Sequence, residues 1–381
     1  MFAKIQTLIL VAISWLVQFC FLLYRALPIG LPLMVLFTLL DKWLFAGRFS
    51  FWAWTSAGLI SIALAVATRR NPIKDNPYRI YSGWSGWLDK KVDGLIAWIG
   101  TIKLFKSPFC LVEDSSAYKV RGEEVRKLID DVLRPGDILL RGFDGYLDGA
   151  LIKLSGSKAG PGSEFSHAAI FLGDVNSTTD QAIAARRLQV LDPQGNWVKA
   201  AEPQKDAVRT NPQYFSPGRQ RVAHAMTRGV FTEDILTFLR CDYIAVLRLP
   251  DAFKLAPEEV NKYGDRSLIA DLPDDAAAIR QSLLQGETVT AAQVIQAVRS
   301  SALGKVGSCY DFQFNDAKTN QRFSCSEFAY YCYKSVHCYI GLELKSHGMG
   351  PFLVRETITP SDIYQAALTG GKFNIVWPLP N

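Results

Sequence analysis

Arg322-Phe323-Ser324-Cys325-Ser326-Glu327-Phe328-Ala329-Tyr330-Tyr331-Cys332-Tyr333 is the stretch that decides how this chain is read. Ser324 followed three residues on by Glu327, ahead of an aromatic run, is a capping box, so the spacing predicts a helix that begins at Cys325. That seats a thiol on the first turn of a helix. There the unpaired N–H groups and the positive end of the macrodipole favour thiolate over thiol, and the thiolate is the nucleophile. Cys332 lies two turns further down the same face, where the dipole no longer acts, and reads as packing.

A thiol nucleophile needs an imidazole to take its proton and a polar group to hold that imidazole in one tautomer. The chain has four histidines. His167 lies in Phe165-Ser166-His167-Ala168-Ala169-Ile170-Phe171-Leu172-Gly173, a strand whose period of two puts His167, Ala169 and Phe171 on one face. His224 lies in a second strand, Val222-Ala223-His224-Ala225-Met226. A third is Tyr243 to Leu249, and a short helix is expected between them from Thr232 to Leu239. His337 and His347 read most simply as surface residues. Zinc spacing is absent: there is no C-x-x-C and no H-E-x-x-H, and His337 next to Cys338 has no matching pair. No cofactor is implied.

Upstream of the first histidine, Arg134-Pro135-Gly136-Asp137 breaks a charged helix expected over Val120 to Val132, and Ile138-Leu139-Leu140 opens a strand. The glycine-rich Gly156 to Gly162 lacks the Lys-Ser/Thr ending of a phosphate loop and precedes a strand, so it reads as a plain loop. Asp174 to Arg221 is polar and long for a connection, and connections of that length are usually lids, binding loops or disordered. Ala291 to Leu303 reads as a helix ended by glycines.

Taken in order, Pro135-Gly136-Asp137-Ile138-Leu139-Leu140, Phe165-Ser166-His167, a strand-borne polar residue, Tyr310-Asp311-Phe312, Ser324-Cys325-Ser326-Glu327 and Thr359-Pro360-Ser361-Asp362 resemble the YiiX-like family. That family is the circularly permuted branch of the NlpC-type papain-like cysteine hydrolases. The resemblance covers residues 134–381 and implies an α+β permuted papain-like domain, an antiparallel sheet packed on the cysteine helix. It implies Cys325 as nucleophile, His167 as general base and acid, and His224 as the third member, where near relatives often carry Glu. The backbone N–H of Cys325 would serve the oxyanion, with the second donor unassigned; Tyr310 is a candidate, but Tyr310 and Asp311 read first as a turn packed beneath the helix.

The front of the chain has a different character. Ile5 to Tyr24 and Phe51 to Thr68 are apolar runs near the ~20 residues needed to cross a bilayer, and Leu27 to Phe45, broken by Pro28, Pro32, Asp41 and Lys42, is a third that is either spanning or re-entrant. The expectation is a membrane anchor of two or three helices over 1–70 and a juxtamembrane helical linker over 71–133, with Trp84, Trp87, Leu95 and Trp98 at helical spacing. Arg69, Arg70, Lys74 and Arg79 then place the large domain on the cytoplasmic side. Seven cysteines in unpaired spacing agree with a reducing compartment. A net charge of +6 is small for 381 residues and gives no reason to expect nucleic acid.

The expected activity is that of a membrane-anchored cysteine hydrolase or acyltransferase acting on an amide, ester or thioester, with an acylated or lipid-linked substrate. The alternatives are a peptidoglycan endopeptidase, if the domain is exported, and a non-catalytic receptor that keeps the fold as a pocket.

Overall fold

The computed structural model of the chain describes residues 30–44, 49–67, 118–143, 164–187, 189–191, 197–201, 211–259, 274–311, 322–348, 354–370 and 372–378, with a few isolated positions besides. The chain divides into two compact units. One holds the N-terminal helices, and the other holds residues 96–347 and 356–381.

The second unit is built on a six-stranded sheet. Its strands are β1 (Ile138–Gly142), β2 (His167–Val175), β3 (Gly218–Met226), β4 (Gly229–Asp234), β5 (Tyr243–Arg248) and β6 (Asn374–Trp377). They run in the order β6-β5-β1-β2-β3-β4, and every neighbouring pair is antiparallel. The architecture is α+β with an antiparallel sheet.

Alternation along the strands sorts the side chains into two cores. Ile138, Leu140, Ala168, Ile170, Ala223, Ala225, Ala245 and Leu247 face one side, where they meet Val294, Ala297 and Val298 of the helix Ala291–Gly304 and Phe328 and Ala329 of the cysteine helix. Four alanines on that face leave room for a helix to lie close, and the cysteine helix (Cys325–Cys332) settles on β2 and β3. Leu139, Ala169, Phe171, Val222, Ile244 and Val246 face the other side, under Leu128, Ile235 and Phe238.

The Arg134-Pro135-Gly136-Asp137 turn is locked from several directions. Asp137 accepts from the Arg134 backbone N–H at 2.8 Å and takes both arms of the Arg248 guanidinium, at 2.8 and 2.7 Å. Gly136 has φ +89°, and a Cβ there would come within 2.5 Å of Ile295, so both backbone conformation and space require glycine. Its carbonyl accepts from the hydroxyl of the fully buried Tyr333, just past the cysteine helix.

Several expectations change. Val120 to Val132 is the α-helix Gly122–Lys127 followed by a π-helical turn, Leu128–Val132. Asp174 to Arg221 carries structure of its own. Within it lie the helix Thr179–Arg187, tied to the domain by Asp180–Arg299 at 2.6 Å, and a small hairpin of Gln189–Leu191 with Trp197–Lys199. The helix expected over Thr232 to Leu239 is only Ile235–Phe238, capped by Asp234, because Thr232 and Glu233 belong to β4.

The largest correction concerns the front of the chain. Among the described residues no helix is long and apolar enough to cross a membrane. Residues 30–44 and Ser50–Ala67 are helical. The second has 18 residues, about 27 Å at ~1.5 Å per residue, which falls short of the ~30 Å of bilayer hydrocarbon. Polar groups also bind the two helices into a hairpin, with Trp54 Nε1 donating to Thr38 Oγ1 at 2.8 Å and the Phe49 N–H to Asp41 at 3.0 Å. The integral-membrane expectation is therefore withdrawn, together with the cytoplasmic placement and the case for a lipid-linked substrate that rested on it. Ile5 to Tyr24 and the Trp84 to Trp98 stretch lie outside the described residues.

Candidate active site

The helix predicted to start at Cys325 does so. Ser324 is its N-cap and accepts from the Glu327 N–H at 3.4 Å, while the Ser324 N–H donates to Glu327 Oε2 at 3.0 Å. The thiol lands beside β2. The β2–β3 ladder runs only from Ile170↔Ala223 outward, so residues 167–169 have no β3 partner and the strands part there. Cys325 fills the opening. Its Sγ lies 4.0 Å from the Ser166 carbonyl and 3.7 Å from Ser326 Oγ, and the Ala168 N–H is directed at the sulfur.

The two strand histidines meet on the far side of the same strand. His167 Nε2 is 2.7 Å from His224 Nδ1, with the rings edge to face. Both rings pack on Phe238, and His224 also packs on Phe231. His224 Nε2 in turn lies 3.1 Å from Glu233 Oε1, on an approach oblique to the ring N–H direction. Arg141, which pairs with His167 in the β1–β2 register, completes the group. It donates to the Phe238 carbonyl at 2.9 Å, and its nearest arm is 4.0 Å from Glu233.

This arrangement determines the tautomers. A carboxylate only accepts, so Glu233 places the His224 proton on Nε2 and leaves Nδ1 as an acceptor. His167 must then donate through Nε2, which leaves its Nδ1 lone pair available, and among the described residues that nitrogen makes no hydrogen bond. His167 therefore carries its lone pair on the nitrogen that is not bonded to His224. Glu233 holds its charge: burial pushes its carboxyl up, but His224, Arg141 and Arg228 outweigh that and hold it below the usual range. Burial, with Arg141 and His224 adding to it, keeps His167 well below the ordinary imidazole value. Burial also lowers His224, against the pull of Glu233. Both rings rest neutral.

The thiol departs from expectation. Burial, at 2% exposure, pushes the Cys325 thiol up, and the Ala168 and Ser326 groups that favour the thiolate do not overcome it. A buried Glu327 beside it adds to the rise. Desolvation of a small anion outweighs the first-turn dipole, so the resting state is a thiol beside a neutral imidazole. No hydrogen bond joins Sγ to His167 among the described residues; the sulfur faces the backbone on either side of that residue. His167 and His224 are thus brought together, and Cys325 is brought to the same strand end without direct contact with the ring.

Glu233 and Arg141 are absent from the sequence reading. Thr227-Arg228 between Met226 and Gly229 forms a two-residue hairpin loop, and the pairing Val222↔Glu233 and His224↔Phe231 places Glu233 on the histidine face. The β-branched Val230 and Thr232 in alternation with Phe231 and Glu233 are the signal that marks this strand. Tyr310, considered as an oxyanion donor, is held in a short parallel pairing with Phe323, its ring against Phe314. His337 and His347 are buried, not surface residues: the first contacts Cys338, and the second lies 2.7 Å from Asp362.

Compared with known proteins, the chain matches no family model, no curated protein and no solved structure.

Proposed function

We propose that this chain is a cysteine hydrolase or acyltransferase that cleaves an amide, ester or thioester through an acyl-enzyme on Cys325. This is the chemistry implied by its resemblance to the permuted papain-like hydrolases. The observation that carries the reading is the close line of Glu233, His224 and His167, at 3.1 and 2.7 Å, on the strand whose end also holds the Cys325 thiol; the tautomers assigned to it leave a lone pair on His167 Nδ1.

In the proposed reaction His167 Nδ1 takes the Cys325 proton as the sulfur attacks the carbonyl carbon. That transfer requires the Cys325 side chain to leave its backbone contacts and reach the histidine side of the strand. The new imidazolium is stabilised through His224 by the Glu233 carboxylate, which supplies the charge a neutral third residue lacks. His167 then protonates the leaving group. Water, or an acceptor alcohol, amine or thiol, releases the acyl group with His167 as base. The backbone N–H of Cys325, at the helix start and without an intrahelical partner, suits the oxyanion.

The test is to incubate the purified chain with p-nitrophenyl acetate and locate the acetyl group by mass spectrometry. An adduct on Cys325, lost in Cys325→Ala and in His167→Ala, is the expected result; acetylation no faster at Cys325 than at Cys332 rejects the reading. The burial of Cys325 and its separation from the imidazole favour a second reading, a binding pocket without catalysis. That reading predicts no adduct.

A further inference from the structure

A second thiol–imidazole pair lies away from the site described above. Cys338 Sγ is 3.0 Å from Nε2 of His337, its neighbour in the chain. The other ring nitrogen, Nδ1, is 2.7 Å from the Lys334 carbonyl. A carbonyl only accepts, so the proton sits on Nδ1 and the Nε2 lone pair faces the sulfur. The ring has little freedom to leave: His337 is buried at 6% exposure, Tyr330 packs edge-on at 5.2 Å, and the Leu342 N–H closes the turn onto the His337 carbonyl at 2.9 Å. The thiol is only half-buried, unlike Cys241 and Cys332, which lie in the core.

We propose that Cys338 is a second nucleophilic thiol of this chain, served by His337 as base and open to oxidation by hydroperoxides. Burial holds the His337 imidazole down at about 4, so the pair rests as thiol and neutral ring, and no buried charge has to persist. The proton moves only as the reaction proceeds. His337 Nε2 takes it from Cys338 while the sulfur attacks one oxygen of the peroxide. The S–O bond forms, the O–O bond breaks, and the departing oxygen receives the proton back from His337 to leave as water or an alcohol. Sulfur is oxidised from thiol to sulfenic acid and the peroxide is reduced.

Cys309, also half-buried, is the internal reference. The reduced full-length chain is treated with hydrogen peroxide in the presence of dimedone, and each cysteine's adduct is quantified by mass spectrometry at early times. Cys338 is expected to react about tenfold faster than Cys309 or more, a cautious figure against the ~10²–10⁴ of a well-placed base. His337→Gln is expected to bring Cys338 down to the rate of Cys309. Equal rates at Cys338 and Cys309 in the wild type overturn the proposal even if the variant fails to fold. An unchanged ratio in a folded His337→Gln overturns it too. Cys325 is read separately, so loss of this site leaves the proposed acyl chemistry untouched.

Discussion

Replacing Glu233 by Gln is the sharpest probe of the relay. The side chain is 16% exposed at the end of a hairpin, so the isosteric change has room to be accommodated. Its effect on the tautomers is large, because an amide donates where a carboxylate cannot. A Gln N–H directed at His224 Nε2 makes that nitrogen the acceptor and moves the His224 proton to Nδ1. His167 Nε2 then has to accept, and its own proton goes to Nδ1, the nitrogen needed as base. Even without the switch, the charge opposing the transient imidazolium is gone. A hydrogen bond to a charged group contributes about 1.5–3 kcal/mol, and about 1.4 kcal/mol corresponds to tenfold in rate, so acylation should slow by roughly 10- to 150-fold. The assay is the pre-steady-state burst of p-nitrophenol from p-nitrophenyl acetate, with the thermal midpoint measured alongside to exclude unfolding. In the wild type, the acid limb of the pH–rate curve should lie below the ordinary imidazole value of about 6.5, since burial lowers His167. A burst rate in Glu233→Gln within twofold of wild type, with the fold intact, refutes the relay.

Three further substitutions probe the frame around the site. Gly229→Ala should destabilise by about 1–3 kcal/mol, because φ is +105° and the added Cβ would lie 2.2 Å from the Ser308 carbonyl; denaturant unfolding measures it, and an unchanged midpoint contradicts the turn geometry. Glu327 is pushed up to about 8 by burial and by Asp311, so its contribution is complete below the ordinary carboxyl value and is lost as pH rises toward about 8. Glu327→Gln should therefore lose less stability between pH 4.5 and about pH 8 than the wild type does in parallel melts. Asp362 is the opposite case. Burial raises it, but hydrogen bonds from His347 and Thr359 prevail and hold it well below the usual range, so its contribution is present above the ordinary carboxylate value and lost as pH falls through the depressed one. Asp362→Asn should cost about 1–3 kcal/mol at neutral pH and progressively less below about pH 4; an equal cost at both ends rejects the hydrogen-bond account.

The local sequence around Cys325 determined its own geometry. Ser324 and Glu327 form a capping box within a few residues, so the start of the helix at Cys325 was legible without the rest of the chain. The same holds for the β2 face: period two put His167, Ala169 and Phe171 together, and the second core contains the two apolar members. Hydropathy over Phe51 to Thr68 was a poorer guide, because it counts apolar residues without asking whether a continuous helix reaches across a bilayer.

What depended on the tertiary structure were the quantities set by distant neighbours. The ionisation of Cys325 is one: sequence supplies the helix dipole, but burial beneath β2 and β3 reverses its effect, and desolvation exists only once those elements pack. The role of Glu233 is another, since a residue nine positions from His224 comes beside it only through the β3–β4 hairpin register. His337, read as a surface residue, is buried against Tyr330 for the same reason. Caps and strand faces are short-range and can be read along the chain; charge states depend on what surrounds a group in space.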